Sequence, residues 1–374
     1  MSFTVAHVST YAPTQCGIAS YTGDLVEALR GCRQAVVALD YGRARAVPEP
    51  PVVAGIALRA RAGYVEAARQ IAAGPVDVVS LQHEFGIFGG PDGAHVLALL
   101  RGCAKPVVTT LHTVSTDLPP ARAAILDEVL ARSARVVVLT EASADVCRVL
   151  WPHHADRLRV IPHGVPAVRL RLPGEVPLRR RLAADWVFVG SGHTWRHKGY
   201  HHALLALSLL ADEGLDFRFV ILGAGQQQFG GADDYEASLH RLAAKLGIAE
   251  RIVRVPEFLP RRRMLEWFAA ADAGLVTYTR ASHNSSGVLP AMLACGRPVV
   301  ATRFEYARAI APTTPDVLLA DLADPDDIAR RLRELVSDRR GLARRMRRAH
   351  RQMQWRTWPK TAAMYRRVFV EAMQ

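Results

Sequence analysis

The sequence predicts an α/β protein built from two doubly wound domains, each with a parallel sheet between layers of helices. Apolar runs typical of strands buried on both faces alternate with amphipathic runs long enough to form connecting helices. A chain of 374 residues also exceeds what one hydrophobic core usually supports. The alternation stops at residues 166–184, where prolines and dense charge predict a linker between the domains.

The first half of the chain predicts six strands and five helices. The strands, in chain order, are "FTVAHVS", "AVVALD", "VDVVSLQ", "PVVTTLH", "RVVVLT" and "RLRVIPHG". The helices cover residues 18–31, 62–73, 93–102, 120–133 and 141–151. Because connecting helices of this length join parallel neighbours, we expect one parallel sheet.

The second half repeats this pattern. Its predicted strands are "DWVFVGS", "FRFVILGAG", "RIVRVPEF", "AGLVTYT", "RPVVAT" and "VLLAD". Its predicted helices cover 198–213, 233–246, 260–271 and the apolar centre of "SHNSSGVLPAMLACGRPVVATRF", residues 282–304. The last segment, "WRTWPKTAAMYRRVFVEAM", predicts a helix with aromatic residues on one face, which we expect to pack back on the first domain. The expected domains are 1–168 with 356–374, and 169–355.

Composition and charge indicate an ordinary globular protein, with 50% hydrophobic and 7% aromatic residues. A run of about 18 uncharged apolar residues is absent, as is a signal peptide, so we expect a cytoplasmic protein. The net charge of +13 comes mostly from arginines. Their clusters are scattered and lack interleaved aromatics, which favours solvated faces over nucleic-acid binding. Because of this positive charge, we also expect weak association with a membrane surface.

Metal-ligand patterns are absent from the sequence. The five cysteines are widely spaced and lack zinc-ligand spacing, so we expect reduced, mostly buried thiols. The acidic run at 324–327, "DPDD", is typical of a helix start rather than of magnesium ligands. We therefore expect neither a metal nor a cofactor.

Candidate ligand residues in the first domain follow the ends of predicted strands, where doubly wound folds bind ligands. Gly17 opens a helix there, so it either lets backbone amides approach a ligand or serves only a tight turn. It is not part of a GxGxxG fingerprint. His83 and Glu84 begin the glycine-rich loop "HEFGIFGGPDG", and His112 follows a strand. Each histidine either acts on a substrate or is structural.

In the second domain, "FVGSGHTWRHKG" leaves a strand through glycines and reaches Lys198. This lysine is suited to a diphosphate, with Arg196 or His193 as a second donor. The alternative is a surface lysine at a helix start. A positive charge there opposes the helix dipole, which favours a bound anion.

Ser285, Ser286 and Gly287 begin the next candidate helix. They offer hydroxyls and backbone N–H groups at a helix terminus, an arrangement that suits a diphosphate. Serine is also a favoured N-cap in helices without any ligand, so both interpretations stay open.

Six motifs, taken in order, resemble those of glycosyltransferase family 4, which comprises retaining enzymes of the GT-B fold. They are "CGIASYT", "TTLHT", "VIPHGV", "FVGSGHTWRHKG", "VILGAG" and "GVLPAMLACGRPVVAT", and the resemblance extends along nearly the whole chain. It implies two Rossmann-like domains facing across a cleft, with the C-terminal helix crossing back to the first domain. It also implies a nucleoside-diphosphate sugar held mainly by the second domain and an acceptor on the first.

The resemblance assigns roles to individual residues. His112 would contact the transferred sugar, Lys198 and a nearby cation would hold the diphosphate, and Gly17 would approach the same phosphates. Phe258, in "PEFLP", matches the segment that reads the nucleobase. The expected catalytic residues are His112, Lys198, His83 and Glu84. The expected donor-binding residues are Gly17, Gly192, His193, Arg196, Lys198, Gly223, Phe258, Ser285, Ser286, Gly287 and Val288.

The chain departs from the family pattern at two glutamates separated by seven residues. The second, which normally takes the ribose hydroxyls, falls at Ala291. The first falls at His283, or at Asn284 if the loop shifts by one residue. The arginine that the family carries after the second-domain strand is replaced by Ser191 or His193. The sequence resembles a divergent branch, and it leaves the donor nucleotide open.

The predicted function is retaining, metal-independent transfer of a hexosyl group to an acceptor hydroxyl. Its main requirements are orientation of two substrates and stabilisation of charge on the departing diphosphate. The acceptor is expected to be a sugar, a natural product or a lipid-linked molecule. The alternatives are a sugar-nucleotide epimerase and a catalytically inactive nucleotide-sugar-binding subunit. Neither the acceptor's identity nor the oligomeric state follows from the sequence.

Overall fold

A computed structural model describes residues 3–40, 50–223, 225 and 234–374. The chain divides into two compact units, Met1–Gly164 with Trp358–Gln374, and Val165–Thr357. The predicted helix over 233–246 and the motif "VILGAG" each include one residue, at 233 and 224 respectively, that lies outside the described residues. Within the described ranges, no helix is both long and apolar enough to cross a membrane.

The first unit has a parallel sheet of seven strands in the part of the chain that the structure describes. The strands are β1 (Thr4–Ser9), β2 (Arg33–Asp40), β3 (Val52–Ala57), β4 (Val78–His83), β5 (Val107–Leu111), β6 (Arg135–Val138) and β7 (Leu158–Val160). Their order is β3-β2-β1-β4-β5-β6-β7, and all ladders are parallel. The order reverses between β1 and β4, which makes this a doubly wound sheet with a switch point there.

One strand of this sheet was missing from the sequence prediction. It is β3, the edge strand, whose residues alternate between buried and more exposed positions. Its segment "VVAGIA" contains a glycine and follows two prolines, and both residue types count against a strand in the middle of a sheet. Five helices of this unit connect the strands: α1 (Gly17–Ala28), α2 (Arg61–Ala73), α3 (Val96–Gly102), α4 (Pro120–Ala131) and α5 (Glu141–Leu150).

The second unit repeats the topology with six parallel strands among its described residues. They are β8 (Trp186–Ser191), β9 (Phe217–Leu222), β10 (Ile252–Val255), β11 (Ala273–Val276), β12 (Val299–Thr302) and β13 (Val317–Ala320). Their order, β10-β9-β8-β11-β12-β13, reverses between β8 and β11. Its helices are α6 (Pro177–Leu182), α7 (Tyr200–Asp212), α8 (Tyr235–Lys245), α9 (Arg261–Ala270), α10 (Val288–Ala294), α11 (Glu305–Ile310), α12 (Pro325–Ser337) and α13 (Arg339–Met353). Two doubly wound sheets confirm the predicted fold class.

Residues 166–184, predicted to be a linker, instead belong to the second unit. Pro173 begins a 3-10 turn and Pro177 is the first residue of α6, so these two prolines start local structure rather than interrupt it. Val176 is buried with Ala270 of α9. The guanidinium of the buried Arg297 donates to the Arg171 carbonyl at 2.6 Å. The linker prediction was therefore wrong, since charged and proline-rich residues here cover a core.

The acidic run at the start of α12 has the capping role that its sequence predicted. The side chain of Asp324 accepts from the backbone N–H of Asp327 at 3.0 Å. The Asp327 carboxylate in turn accepts from the N–H of Asp321 at 2.8 Å. These carboxylates satisfy backbone donors at the helix start.

The C-terminal helix, α14 (Trp358–Ala372), packs on the first unit, as its aromatic face predicted. Trp358, Tyr365 and Phe369 are buried in one cluster with Tyr21 of α1. The Tyr365 hydroxyl lies 2.8 Å from that of Tyr21 and 2.9 Å from that of Thr110 on β5. An apolar face and a buried hydroxyl network thus hold the end of the chain against the first sheet.

Candidate functional site

Two glycine turns meet at the carboxyl ends of β8 and β9. Gly192 has a φ of +122° and Gly223 a φ of +133°, values that side chains rarely tolerate. A Cβ added to Gly223 would lie 2.1 Å from the Gly192 carbonyl oxygen. The Gly192 N–H donates to the carbonyl of Leu222 at 3.0 Å. Both predicted glycines therefore allow two backbone turns to touch at the edge of the sheet.

Lys198 lies at the switch point between β8 and β11. It ends the 3-10 turn Arg196–Lys198, and Gly199 follows with a φ of +67°. The Thr277 hydroxyl, just beyond β11, donates to the carbonyls of Lys198 and Gly199 at 3.1 and 3.0 Å. A Cβ on Gly199 would come within 1.9 Å of the Thr277 carbonyl oxygen. The turn that carries the lysine is therefore fixed to the neighbouring strand.

The side chain of Lys198 packs on an aromatic ring and is half-buried. Its Nζ lies 3.9 Å from the centroid of Tyr278, a cation–π distance. A Cβ placed on Gly192 would lie 3.7 Å from Cε of the lysine. The ammonium group is thereby directed along the carboxyl edge of the sheet, beside the glycine turn.

Two uncharged histidines lie beside the lysine in this region. His283, at the predicted position of the first family glutamate, has its ring centroid 4.7 Å from that of Tyr278 and 6.1 Å from that of His197. Burial and the nearby Lys198 lower the pKa of His283 to about 3 and that of His197 to about 4. Both rings are therefore neutral near pH 7, held so partly by the neighbouring cations.

Two other predicted donor-binding residues lie together. The ring of His193 stacks at 5.3 Å on Trp195 and at 6.0 Å on Phe258, which follows β10 and is 37% exposed. Arg196 is directed elsewhere, since its guanidinium lies 5.4 Å from the centroid of Tyr235. Arg196 and His193 were both predicted to assist Lys198 in holding a diphosphate. Of these two, only His193 stacks with Phe258.

The predicted anion site at α10 has a different local structure from the one expected. The buried Ser286 hydroxyl accepts from the Leu289 N–H at 3.3 Å and so caps the helix. Gly287 is the N-cap residue and is exposed, while Ser285 and Val288 are half-buried. The helix has only seven residues, which limits its macrodipole. The capping interpretation, which the sequence left open, therefore accounts for Ser286.

Gly17, in the first unit, is exposed at the first position of α1. Its φ lies outside the positive range, and a Cβ added there would meet nothing within 4 Å among the described residues. The thiol of Cys16 caps the helix by accepting from the Ala19 N–H at 3.3 Å. The turn therefore does not require glycine, which counts against the tight-turn interpretation.

His112 follows β5 and is 6% exposed. Its Nε2 lies 2.8 Å from Oε1 of Gln82, and its ring meets that of Tyr21 edge-on at 4.9 Å. Burial and the neighbouring His163 lower the pKa of His112 to about 3. The ring is thus neutral and held in one orientation, which suits hydrogen bonding better than proton uptake.

His83 and Glu84, both predicted to be catalytic, lie in different environments. His83 is 1% exposed and packs against Phe85 and Phe88, so its ring lies in the core of the unit. The glycine-rich loop folds Phe85 and Phe88 inward around this ring. Glu84 is half-buried, with its carboxylate bonded to the Thr113 hydroxyl. Burial raises the pKa of Glu84 above its usual value.

Sequence reasoning missed Tyr278, Thr277 and Gln82 as parts of these sites. Each lies within or just after an apolar strand segment, where its polar group has no distinctive local pattern. Position at the carboxyl end of a strand was the available signal for Tyr278 and Thr277.

The two units, each with a doubly wound parallel sheet, have the topology of the GT-B fold. Solved structures share this fold. HepE from Anabaena, crystallised with UDP, has a TM-score of 0.80 at 16% identity and covers 98% of this chain and 99% of its own. Sucrose-phosphate synthase from Thermosynechococcus elongatus has a TM-score of 0.79 at 16% identity, with the same coverage. At such identities the likeness establishes the fold alone.

Family models then identify the family. Residues 16–169 match the model described as Glycosyltransferase Family 4, and residues 183–338 match Glycosyl transferases group 1. The chain belongs to glycosyltransferase family 4, which confirms the resemblance of its motifs.

Curated relatives are similar over part of their length. A D-inositol 3-phosphate glycosyltransferase from Xylanimonas cellulosilytica is 30% identical over 275 residues, covering 67% of this chain and 63% of that protein. Another from Acidothermus cellulolyticus is 31% identical over 59% of this chain and 52% of its own length. A 2-deoxystreptamine glucosyltransferase from Streptomyces kanamyceticus is 26% identical over 71% of this chain and 69% of that protein. The chain thus spans less than two thirds of the length of the first two relatives.

Proposed function

We propose that this protein transfers a hexosyl group from a nucleoside-diphosphate sugar to an acceptor hydroxyl, with retention and without a metal at the reacting centre. Family membership supports the reaction class. The solved structures of HepE, described in complex with UDP and with UDP-glucose, support a uridine nucleotide as the first donor to test. The observation that carries the proposal is the fixed position of Lys198 at the switch point of the second sheet.

The charge around Lys198 favours an anionic ligand. Burial is the main cause of the lowered pKa of His283. The positive charges of Lys198 and of the exposed Arg280 lower it further. The first glutamate of the family pattern falls at His283 or at Asn284, and neither side chain provides a negative charge to neutralise the lysine. A diphosphate would supply that charge.

In the proposed reaction, the bond between the anomeric carbon and the phosphate oxygen breaks while the acceptor oxygen bonds to the same face of that carbon. The acceptor's proton passes to the departing phosphate oxygen, so a protein nucleophile is not needed. Lys198 stabilises the charge that grows on the diphosphate, where a fixed cation has its largest effect. His112, neutral and held by Gln82, orients the sugar.

The acceptor remains the least defined substrate. Two relatives are named for an inositol phosphate and for 2-deoxystreptamine, and both molecules are polyhydroxylated six-membered carbocycles. We therefore propose this class as the first set of acceptors to test, within the broader set of sugars, natural products and lipid-linked molecules.

The decisive test is Lys198→Ala. We expect kcat with UDP-glucose to fall about 100-fold or more, because one preorganised charge at the leaving group is lost. Lys245→Ala, at the exposed end of α8, is the matched control and should keep the wild-type rate. Initial rates with each acceptor, and hydrolysis of UDP-glucose without an acceptor, provide the measurement. Equal turnover in the two variants would remove Lys198 from the mechanism.

The missing glutamates also make a catalytically inactive binding subunit a candidate, since Ala291 is buried within α10 and bears no carboxylate. Calorimetry with UDP, GDP and dTDP separates the two functions. Tight nucleotide binding without product from any matching sugar nucleotide would favour the inactive subunit. NMR analysis of the product anomer tests retention, and it also detects an epimerised donor.

A further inference from the structure

Three metal-ligating side chains meet in the first unit, apart from the predicted substrate residues. Asp127 lies on α4, and His153 and His154 lie in the 3-10 turn Pro152–Arg157 that precedes β7. The three side chains bring one ligand atom each to within 4.8 Å of one another. A carboxylate and two imidazoles form a ligand set that zinc accepts.

Two of the three distances between ligand atoms in this cluster are those of a tetrahedral ion. Nε2 of His153 lies 3.2 Å from Oδ1 of Asp127, and Nε2 of His154 lies 3.5 Å from the same oxygen. Ligand atoms about 2.0–2.2 Å from a tetrahedral zinc are separated by about 3.3–3.6 Å. The two imidazoles thus converge on one carboxylate oxygen at the spacing that a shared cation requires.

His154 supplies an independent observation. It is 6% exposed, and neither of its ring nitrogens makes a well-formed hydrogen bond; Nε2 has only the 3.5 Å contact with the Asp127 carboxylate. A buried polar atom without a partner is unfavourable, and such atoms are rare in folded proteins. Since the Nε2 of this ring faces Asp127, a cation between them would satisfy it.

The other two side chains of the cluster are open to solvent, so an ion could reach the site. The side chains of His153 and Asp127 are 61% and 49% exposed. An ion bound there would be reached from solvent and would keep its fourth position for water.

We propose that Asp127, His153 and His154 bind one zinc ion that joins α4 to the turn before β7. The two histidines of the cluster lie just before the amino end of β7. The predicted substrate residues of this unit instead follow the carboxyl ends of β1, β4 and β5. The ion therefore stabilises the sheet edge and takes no part in the proposed transfer. The 25 residues between Asp127 and His153 explain why sequence spacing predicted no metal site.

Calorimetric titration of untagged, EDTA-treated and dialysed full-length protein with zinc chloride tests this site. We expect one zinc per chain and an increased melting temperature, because a ligand that binds the folded state stabilises it. Magnesium chloride should give neither result, since Mg²⁺ prefers oxygen ligands. His153→Ala and Asp127→Asn, both at partly exposed positions, should each weaken zinc binding at least about 10-fold.

His240→Ala removes an exposed histidine of α8 and serves as the matched control, with unchanged zinc affinity. His154→Ala should also lose binding, but the conclusion does not depend on this buried variant folding. Absence of stoichiometric binding to the wild type would overturn the proposal. So would equal zinc affinity in the wild type, His153→Ala and Asp127→Asn.

Discussion

Gly17 illustrates how a single residue separates the requirements of the fold from those of a ligand. At the first position of α1 it has an ordinary φ, and its missing side chain would meet nothing in the described structure. Helix propensity favours alanine over glycine by up to about 1 kcal/mol. A glycine that the backbone does not need is consistent with close approach of a substrate.

We predict that Gly17→Ala keeps or raises the free energy of unfolding and lowers kcat/KM for the sugar nucleotide at least about tenfold. The physical reason is that a methyl group would occupy the space of a ligand phosphate. Chemical denaturation and initial rates measure the two effects. Gly23→Ala is the control in the same helix, since its Cβ would come no closer than 4.0 Å to Tyr11. Similar kinetics in both variants would contradict the ligand interpretation.

The residues around Lys198 show which parts of a site a sequence reveals. Glycines after apolar strands are visible as local patterns, so Gly192 and Gly223 were predicted. Tyr278 was not, because its segment matches an ordinary strand end. Its contact with the lysine depends on β8 and β11 being neighbours, which local sequence does not specify.

At the scale of elements, α14 packs through both apolar and polar contacts. Its aromatic face was visible in the sequence, so packing on the first domain was predictable. The partners of the Tyr365 hydroxyl were not, because Tyr21 and Thr110 lie 344 and 255 residues away. Three buried hydroxyls depend on one another there.

We predict that Tyr365→Phe lowers the free energy of unfolding by about 1–3 kcal/mol, because it leaves the buried hydroxyls of Tyr21 and Thr110 without this partner. Val370→Ala, at a 41% exposed position of the same helix, should change it by less than about 0.5 kcal/mol. Urea denaturation of both variants gives the comparison. Equal losses would show that the hydroxyl network adds no stability.

Residues 166–184 show that a local pattern can also predict the wrong structure. Prolines and charges are typical of linkers, but proline also starts helices, and arginine covers apolar surface with its aliphatic stem. Which of these holds depends on whether a neighbouring surface needs covering. Here α9 provides that surface, so a local pattern alone was misleading.

At the scale of the whole molecule, buried neutral histidines link stability to pH. Burial lowers the pKa of His7 and His83 from 6.5 to about 4 and, with His163 nearby, that of His112 to about 3. The unfolded chain therefore binds more protons than the folded chain below pH 6.5. The contribution of these histidines to the free energy of unfolding is fully present above pH 6.5 and is lost as the pH falls toward 4.

We predict a steep decrease in the free energy of unfolding between pH 6.5 and 4, measured by urea denaturation across that range. His7→Gln, which keeps a polar group beside Gln34, should reduce the pH dependence by about one proton. His240→Ala removes an exposed histidine and should leave the slope unchanged. A wild-type protein equally stable at pH 7 and pH 5 would contradict the burial of these rings.

The sequence by itself determined the alternation of strands and helices, the two doubly wound domains, the family and the glycine turns. Each of these depends on local periodicity or on a residue's own conformational limits. Only the tertiary structure decided that Tyr278 and His283 surround Lys198, that His83 lies in the core, and that Asp127 meets two distant histidines. Such contacts depend on strand order and helix packing, which bring together residues that share no pattern along the chain.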